Sequence, residues 1–190
     1  RDLYSEMIPQ FREERRRFFH PDRFASGIWL FTVGLFKKAV IADTLALFAD
    51  NGFGMTGLGL AAGWITAISY TLQIYFDFSG YSDMAVGLGR MFNVDIPFNF
   101  RSPYRSESIS EFWRRWHITL GAWFRNYIFF PVTTSEPVKK WNRYGRRHYG
   151  KYITMVVTSF LALCPVWILN GIWHGSEQTA LLFGIYYLVI

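Results

Sequence analysis

Two stretches of this chain carry no charged side chain over a length that can cross a lipid bilayer. They are Phe53 to Phe76, FGMTGLGLAAGWITAISYTLQIYF, and Tyr152 to Trp173, YITMVVTSFLALCPVWILNGIW. A helix needs about 20 such residues to traverse the hydrocarbon region. Soluble domains seldom hold two runs of this kind. Charged residues are only 18% of the chain, against about 25% in soluble domains, while aromatics reach 20%. The predicted fold class is all-α, a polytopic transmembrane helical bundle. Further spans are expected at about 24–49 and 178–190, beside 53–76 and 152–173. All belong to one membrane domain over residues 1–190. The chain is expected to be a fragment incomplete at both ends. It starts at Arg1 without a methionine or a signal peptide, and it stops inside the apolar run ALLFGIYYLVI.

The net charge of +6 lies in two blocks, REERRR at 12–17 and KKWNRYGRRHYGK from Lys139. Both flank apolar runs, as the positive-inside rule requires, and no nucleic-acid recognition fold accompanies them, so nucleic acid is not an expected partner. Residues 1–23, 77–105 and 139–151 are therefore expected on the cytoplasmic side. Residues 50–54, free of Lys and Arg, are expected outside. Segment 108–131 then has to be re-entrant or interfacial. Lys37 and Lys38 fall in the middle of the first span, where charge is costly, so that segment is expected to be broken, tilted or buried among other helices.

The stretch FWRRWHITLGAWFR, 112–125, sets His117 among arginines and large aromatics. Ser108-Ile109-Ser110-Glu111 fits a capping box and predicts a helix start. Phe112, Trp116, Leu120, Trp123 and Tyr127 recur at helical spacing, and Glu111 can pair with Arg115 four residues on. One helix with a polar seam is predicted. Asp77 and Asp83 bracket a small-residue turn expected at the end of an apolar span, and Pro97 and Pro103 predict an extended loop after it.

His20 and His148 lie in basic segments and read as surface residues. His117 and His174 sit in aromatic-rich segments at expected membrane depth, where an ionisable group is a functional candidate. Each fits either a packing histidine bonded to a carbonyl or a general base. A metal site is not expected, because HxxxH and HExxH are absent and the two histidines lie 57 positions apart. Cys164, the only cysteine, excludes disulfides within the chain. A serine nucleophile lacks its G-x-S-x-G elbow, which DFSGYSD does not match. A desolvated, neutral imidazole can take the proton of an alcohol attacking a thioester, with arginine stabilising the oxyanion or binding a donor phosphate. Two other readings stay open. One is a transporter or channel using His117, Arg114, Asp77 and Asp83; the other is a non-catalytic membrane scaffold. No internal repeat supports transport.

Four strings, in order, carry a resemblance: GLFKKAVIAD (34–43), YFDFSGYSDMAVGLGRMF (75–92), IPFNFRSPYRSESISEFWRRWHITLGAWFRNYIFFPV (96–132) and NGIWHG (170–175). They are similar to the membrane-bound O-acyltransferase (MBOAT) family, in its bacterial branch of alginate O-acetyltransferases and teichoic-acid D-alanyltransferases. The resemblance implies a helical bundle around a transmembrane tunnel in the inner (cytoplasmic) membrane, multi-pass. It implies transfer of an acyl group, expected to be acetyl, to a hydroxyl of an extracytoplasmic envelope polymer. The donor would be acetyl-CoA or an acyl-carrier thioester, with no bound cofactor. Membrane lipid, an acyl carrier protein and an extracytoplasmic accessory acyltransferase are the other partners it allows. His174 matches the family's catalytic histidine and His117 the branch's second one. His174 is expected to be the base and His117 to orient the donor. Arg114, Arg115, Trp113, Trp116, Trp173, Asn170, Asp77 and Asp83 are the expected supporting residues. Asn126 stands where many relatives carry aspartate.

Overall fold

The computed structural model describes residues 2–175 and 178–189, and every regular element among them is helical. The chain divides into two compact units, Arg1–Ile118 and Thr119–Ile190.

In the first unit, α1 (Asp2–Arg12) and a 3-10 turn (Glu14–Arg17) precede α2 (Pro21–Phe36). A π-helical turn (Lys37–Ala42) joins α2 to α3 (Asp43–Gly54) without interruption. Pro21–Gly54 is thus one helical run, long and apolar enough to cross a membrane. The apolar run at 53–76 is divided between two helices. The chain turns at residues 55–59, and α4 starts at Leu60 and continues to Met91. Asp77 and Asp83 are consequently inside a helix, not around a turn.

Small residues explain why SGYS does not end α4. Ser79, Gly80, Ser82, Val86 and Gly87 are buried on one side of it. A Cβ added to Gly34 would lie 2.6 Å from the Gly80 carbonyl oxygen, and one added to Gly27 would lie 2.7 Å from that of Gly87. The two pairs are seven residues apart on each helix and run in opposite directions. In an apolar solvent, close backbone approach through glycine replaces the hydrophobic drive that holds helices together in water. The buried positions of the first run are Gly27, Gly34, Ala42, Ala49 and Gly52, the first four at intervals of seven, eight and seven and the last three residues further on. The longer interval contains the π turn, whose wider winding absorbs the extra residue and keeps the seam facing α4.

α4 stops at Asn93, which takes φ 59° while Val94 N–H bonds back to the Gly89 carbonyl at 2.7 Å. This is a left-handed helix end with asparagine in place of the usual glycine. An irregular segment and a 3-10 turn (Pro103–Arg105) lead to α5 (Ile109–Arg115).

α6 (Ile118–Phe124) starts on the last residue of the first unit and continues into the second, where a π-helical turn (Arg125–Phe129) and α7 (Phe130–Thr133) precede α8 (Glu136–His148). The basic segment from Lys139 is therefore mostly helix. Its inward positions are Val138 and Gly145, buried, and Asn142, which accepts a hydrogen bond from Thr158 Oγ1 at 2.5 Å. Its lysines and arginines cover the outer side. α9 (Gly150–His174) is the second helix long and apolar enough to cross a membrane, and it stays helical through Pro165. α10 (Gln178–Val189) lies against it, with Trp167 stacked on Tyr187 at 5.1 Å.

Candidate functional site

The expected single helix over 108–131 is broken at His117. Ser108 caps α5 as expected, its Oγ accepting from Glu111 N–H at 3.2 Å. Glu111 pairs with Arg115, and its other carboxylate oxygen accepts from Glu107 N–H at 2.9 Å. That backbone bond, followed by the Arg115 guanidinium, holds the Glu111 carboxyl below the ordinary carboxylate range. Trp116 is then extended and His117 takes φ 43°, a left-handed conformation that histidine adopts only at a cost.

The loop before α5 holds the break open. Arg101 N–H donates to the Arg115 carbonyl at 3.0 Å, and Ile118 N–H donates to the Asn99 carbonyl at 2.9 Å. The first satisfies an orphan carbonyl at the end of α5 and the second an orphan donor at the start of α6. Each such bond contributes about 1 kcal/mol. Together they offset the ~1–2 kcal/mol of a left-handed residue bearing a side chain.

Aromatic rings wall this corner. The His117 imidazole stands edge-to-face on Phe78 of α4 at 4.6 Å, and Phe78 meets Phe100 at 5.0 Å. Phe100 meets Trp116 at 5.1 Å, and Trp116 stacks on Phe112 at 5.6 Å. Trp113 packs on Phe112 at 5.1 Å. His117 is half-buried, whereas Arg114 is exposed.

Beside Phe78 lies an open cavity of about 350 Å³ lined by Lys38, Asp77, Phe78, Tyr81 and Met84. Asp77 pairs with Lys38 at 2.8 Å, and Lys38 also meets Asp43 at 2.8 Å. Asp83 pairs with Lys37 at 2.6 Å. The two mid-span lysines are thus accommodated by opposite charge from the neighbouring helix, and the π turn places them there. Neither Lys37 nor Lys38 was a candidate from sequence, nor were Phe78 and Phe100. Two lysines in one apolar run and two aspartates in the next, both beside glycines seven apart, are the signal that identifies the pairing.

His174 belongs to the second unit. It ends α9, is exposed, and stands edge-to-face with Trp173 at 4.9 Å. Trp173 is itself exposed. Asn170, one turn earlier, is only 7% exposed, and its Oδ1 is buried without a hydrogen-bond partner among the described residues. Asn126 lies exposed in the second π turn. Among the described residues no cluster of three His, Cys, Asp or Glu side chains could hold a metal.

Comparison with known proteins bears on these features. The model of "MBOAT, membrane-bound O-acyltransferase family" matches residues 3–145, a range that includes His117. A peptidoglycan O-acetyltransferase of Helicobacter pylori is 41% identical over 96% of the chain, which covers 32% of that protein. A probable alginate O-acetylase of Pseudomonas aeruginosa is 39% identical over 97% of the chain, covering 32% of the relative. A teichoic acid D-alanyltransferase of Bacillus subtilis is 27% identical over 100% of the chain and 46% of its own length. The chain thus spans about a third of the first two relatives and just under half of the third. With matches this extensive, on helices apolar enough to cross a bilayer, the chain belongs to the membrane-bound O-acyltransferase family.

Proposed function

We propose that this chain is part of a multi-pass enzyme of the cytoplasmic membrane that acylates a cell-envelope polymer. The acyl group, acetyl in this reading, comes from a cytoplasmic thioester, either acetyl-CoA or a carrier-bound donor. Family membership and relatives named for peptidoglycan, alginate and teichoic acid support the reaction class. One structural observation supports the site: an imidazole held on a left-handed residue, bracketed by two long-range backbone bonds and walled by aromatic rings. Left-handed residues kept at such cost cluster at functional sites.

In the reaction, the acceptor hydroxyl oxygen attacks the thioester carbonyl carbon. A C–O bond forms, the C–S bond breaks, and the hydroxyl proton passes to a neutral imidazole and from there to the departing thiolate. We assign the proton transfer to His174 and the orientation of the donor to His117. Arg114, exposed beside His117, would stabilise negative charge on the donor, while Arg115 is committed to Glu111. Trp113 and Trp116 exclude water there. Asn170 positions the last turn of α9, and Trp173 packs beside His174. Asp77 and Asp83 support the site electrostatically. They suit an ion path poorly, because each is already paired with a lysine. An acyl carrier protein and an extracytoplasmic accessory acyltransferase complete the proposed set of partners.

The test is His174→Ala and, separately, His117→Ala in the full-length protein, reading ester-linked acyl groups on envelope polymers. Loss of acylation at normal expression is expected for both. Unchanged acylation in both variants sinks the catalytic assignment.

A further inference from the structure

A second cavity, of about 110 Å³, lies far along the chain from His117 and His174 and is lined by the polar and charged residues Glu13, Arg15, Arg16, His20, Arg23 and Asn93. Its walls are built rather than incidental. Asn93, only 7% exposed and at φ 59°, donates its side-chain amide to the carbonyls of Arg16 and Phe18 at 3.1 and 2.7 Å. Those bonds fix the turn that carries the arginines. Arg16 meets Glu13 at 2.7 Å and Asp95 at 2.8 Å, and Arg23 meets Asp95 at 2.6 Å. Two guanidinium forks are therefore held in set directions. His20 Nε2 lies 2.9 Å from the Arg15 carbonyl, bracing the same turn.

Charge does not balance here. Three guanidiniums line or touch the cavity against two carboxylates, and both carboxylates are engaged by Arg16 and Arg23. Arg15 enters none of these ion pairs and leaves the cavity net positive. The cavity also sits where Pro21 begins the helical run that is long enough to cross a membrane. A polar site at that end faces the interface, where phosphate groups lie.

We propose that this cavity is a phosphate-binding site. The Arg15 guanidinium, outside those ion pairs, can match phosphate oxygens bidentately, and the volume suits a phosphate group rather than a polymer segment. The phosphate has two sources, an anionic phospholipid headgroup or a soluble phosphorylated molecule, which share this chemistry. The site stands apart from the acyl-transfer reading and needs neither His117 nor His174.

The experiment uses full-length protein in mild detergent and two probes, phosphatidylglycerol followed by native mass spectrometry and inorganic phosphate followed by calorimetry. Arg15→Gln is the test variant, because Arg15 is exposed and unpaired in these ion pairs, so the fold does not depend on it. Arg143→Gln on the outer side of α8 removes the same charge elsewhere. Arg15→Gln is expected to weaken phosphate-bearing probes roughly tenfold, the value of one charge-assisted hydrogen bond, with Arg143→Gln unchanged. Sensitivity confined to phosphatidylglycerol identifies a lipid headgroup; sensitivity to inorganic phosphate as well identifies a soluble source. Equal binding by wild type and Arg15→Gln, equal losses in both variants, or no binding of either probe overturns the proposal.

Discussion

Replacing His117 by glycine and by alanine separates the cost of its backbone from the use of its ring. Both variants remove the imidazole and its edge-to-face contact with Phe78 at 4.6 Å, so that loss cancels when they are compared with each other. What differs is the price of φ 43°. Alanine carries a Cβ into the left-handed region at a cost of about 1–2 kcal/mol, and glycine does not. Glycine in turn has more freedom to lose on folding, which favours alanine by about 0.4–1 kcal/mol. The strain is the larger effect. His117→Gly should therefore be more stable than His117→Ala by roughly 0.5–1 kcal/mol, a factor of about 2 to 5 in the unfolding constant. His117→Asn should fall between them, since asparagine tolerates this conformation better than alanine. Reversible unfolding of the full-length protein in mild detergent reads the order. Alanine equal to or better than glycine would refute the left-handed corner. The same variants should all lose acyl transfer, and full activity in the glycine variant would refute the use of the ring while leaving the backbone argument intact.

Two further outcomes follow from other parts of the first unit. Gly34→Ala would put a Cβ 2.6 Å from one backbone atom and 2.7 Å from another on α4, so the helices must part, at about 1–3 kcal/mol. Gly63→Ala meets nothing within 4 Å and should gain about 0.5–1 kcal/mol from helix preference; equal shifts in an unfolding assay would contradict the α2–α4 seam. Asp95 is held below the ordinary carboxylate range, first by the hydrogen bond from Arg23 and then by Arg16. A depressed folded value means that this stabilisation is complete above about pH 4, the unfolded value, and drains away as pH falls through the lower folded value. The half-exposed side chain keeps the effect small. Asp95→Asn should flatten that part of the acid-unfolding curve, and parallel curves for variant and wild type would count against the pairing.

The helix start ahead of His117 is legible in the sequence. The Ser108 cap and the Glu111–Arg115 pair are local, within four residues, and both formed as the spacing predicts. The break at His117 was not readable. Its partners, Asn99 and Arg101, lie 14 or more positions away, and the helical stripe from Phe112 to Tyr127 continues through the break as if nothing happened. The Asp77–Asp83 stretch misled for a related reason. Glycine and serine suggest a turn when considered alone, yet the same residues are what a close helix crossing requires.

Local chemistry determined which segments are apolar enough to be helices in lipid, where one of them is capped, and which family strings the chain carries. Those properties depend on neighbours a few positions apart, so they survive in a string of letters. Tertiary contact decided the rest. Glycine seams set α4 against α2, the lysines found their aspartates across that seam, and a loop carbonyl and N–H stopped one helix at Trp116 and started another at Ile118. Each of these is a backbone group or charge satisfied by a distant partner, and only the folded chain brings such partners together.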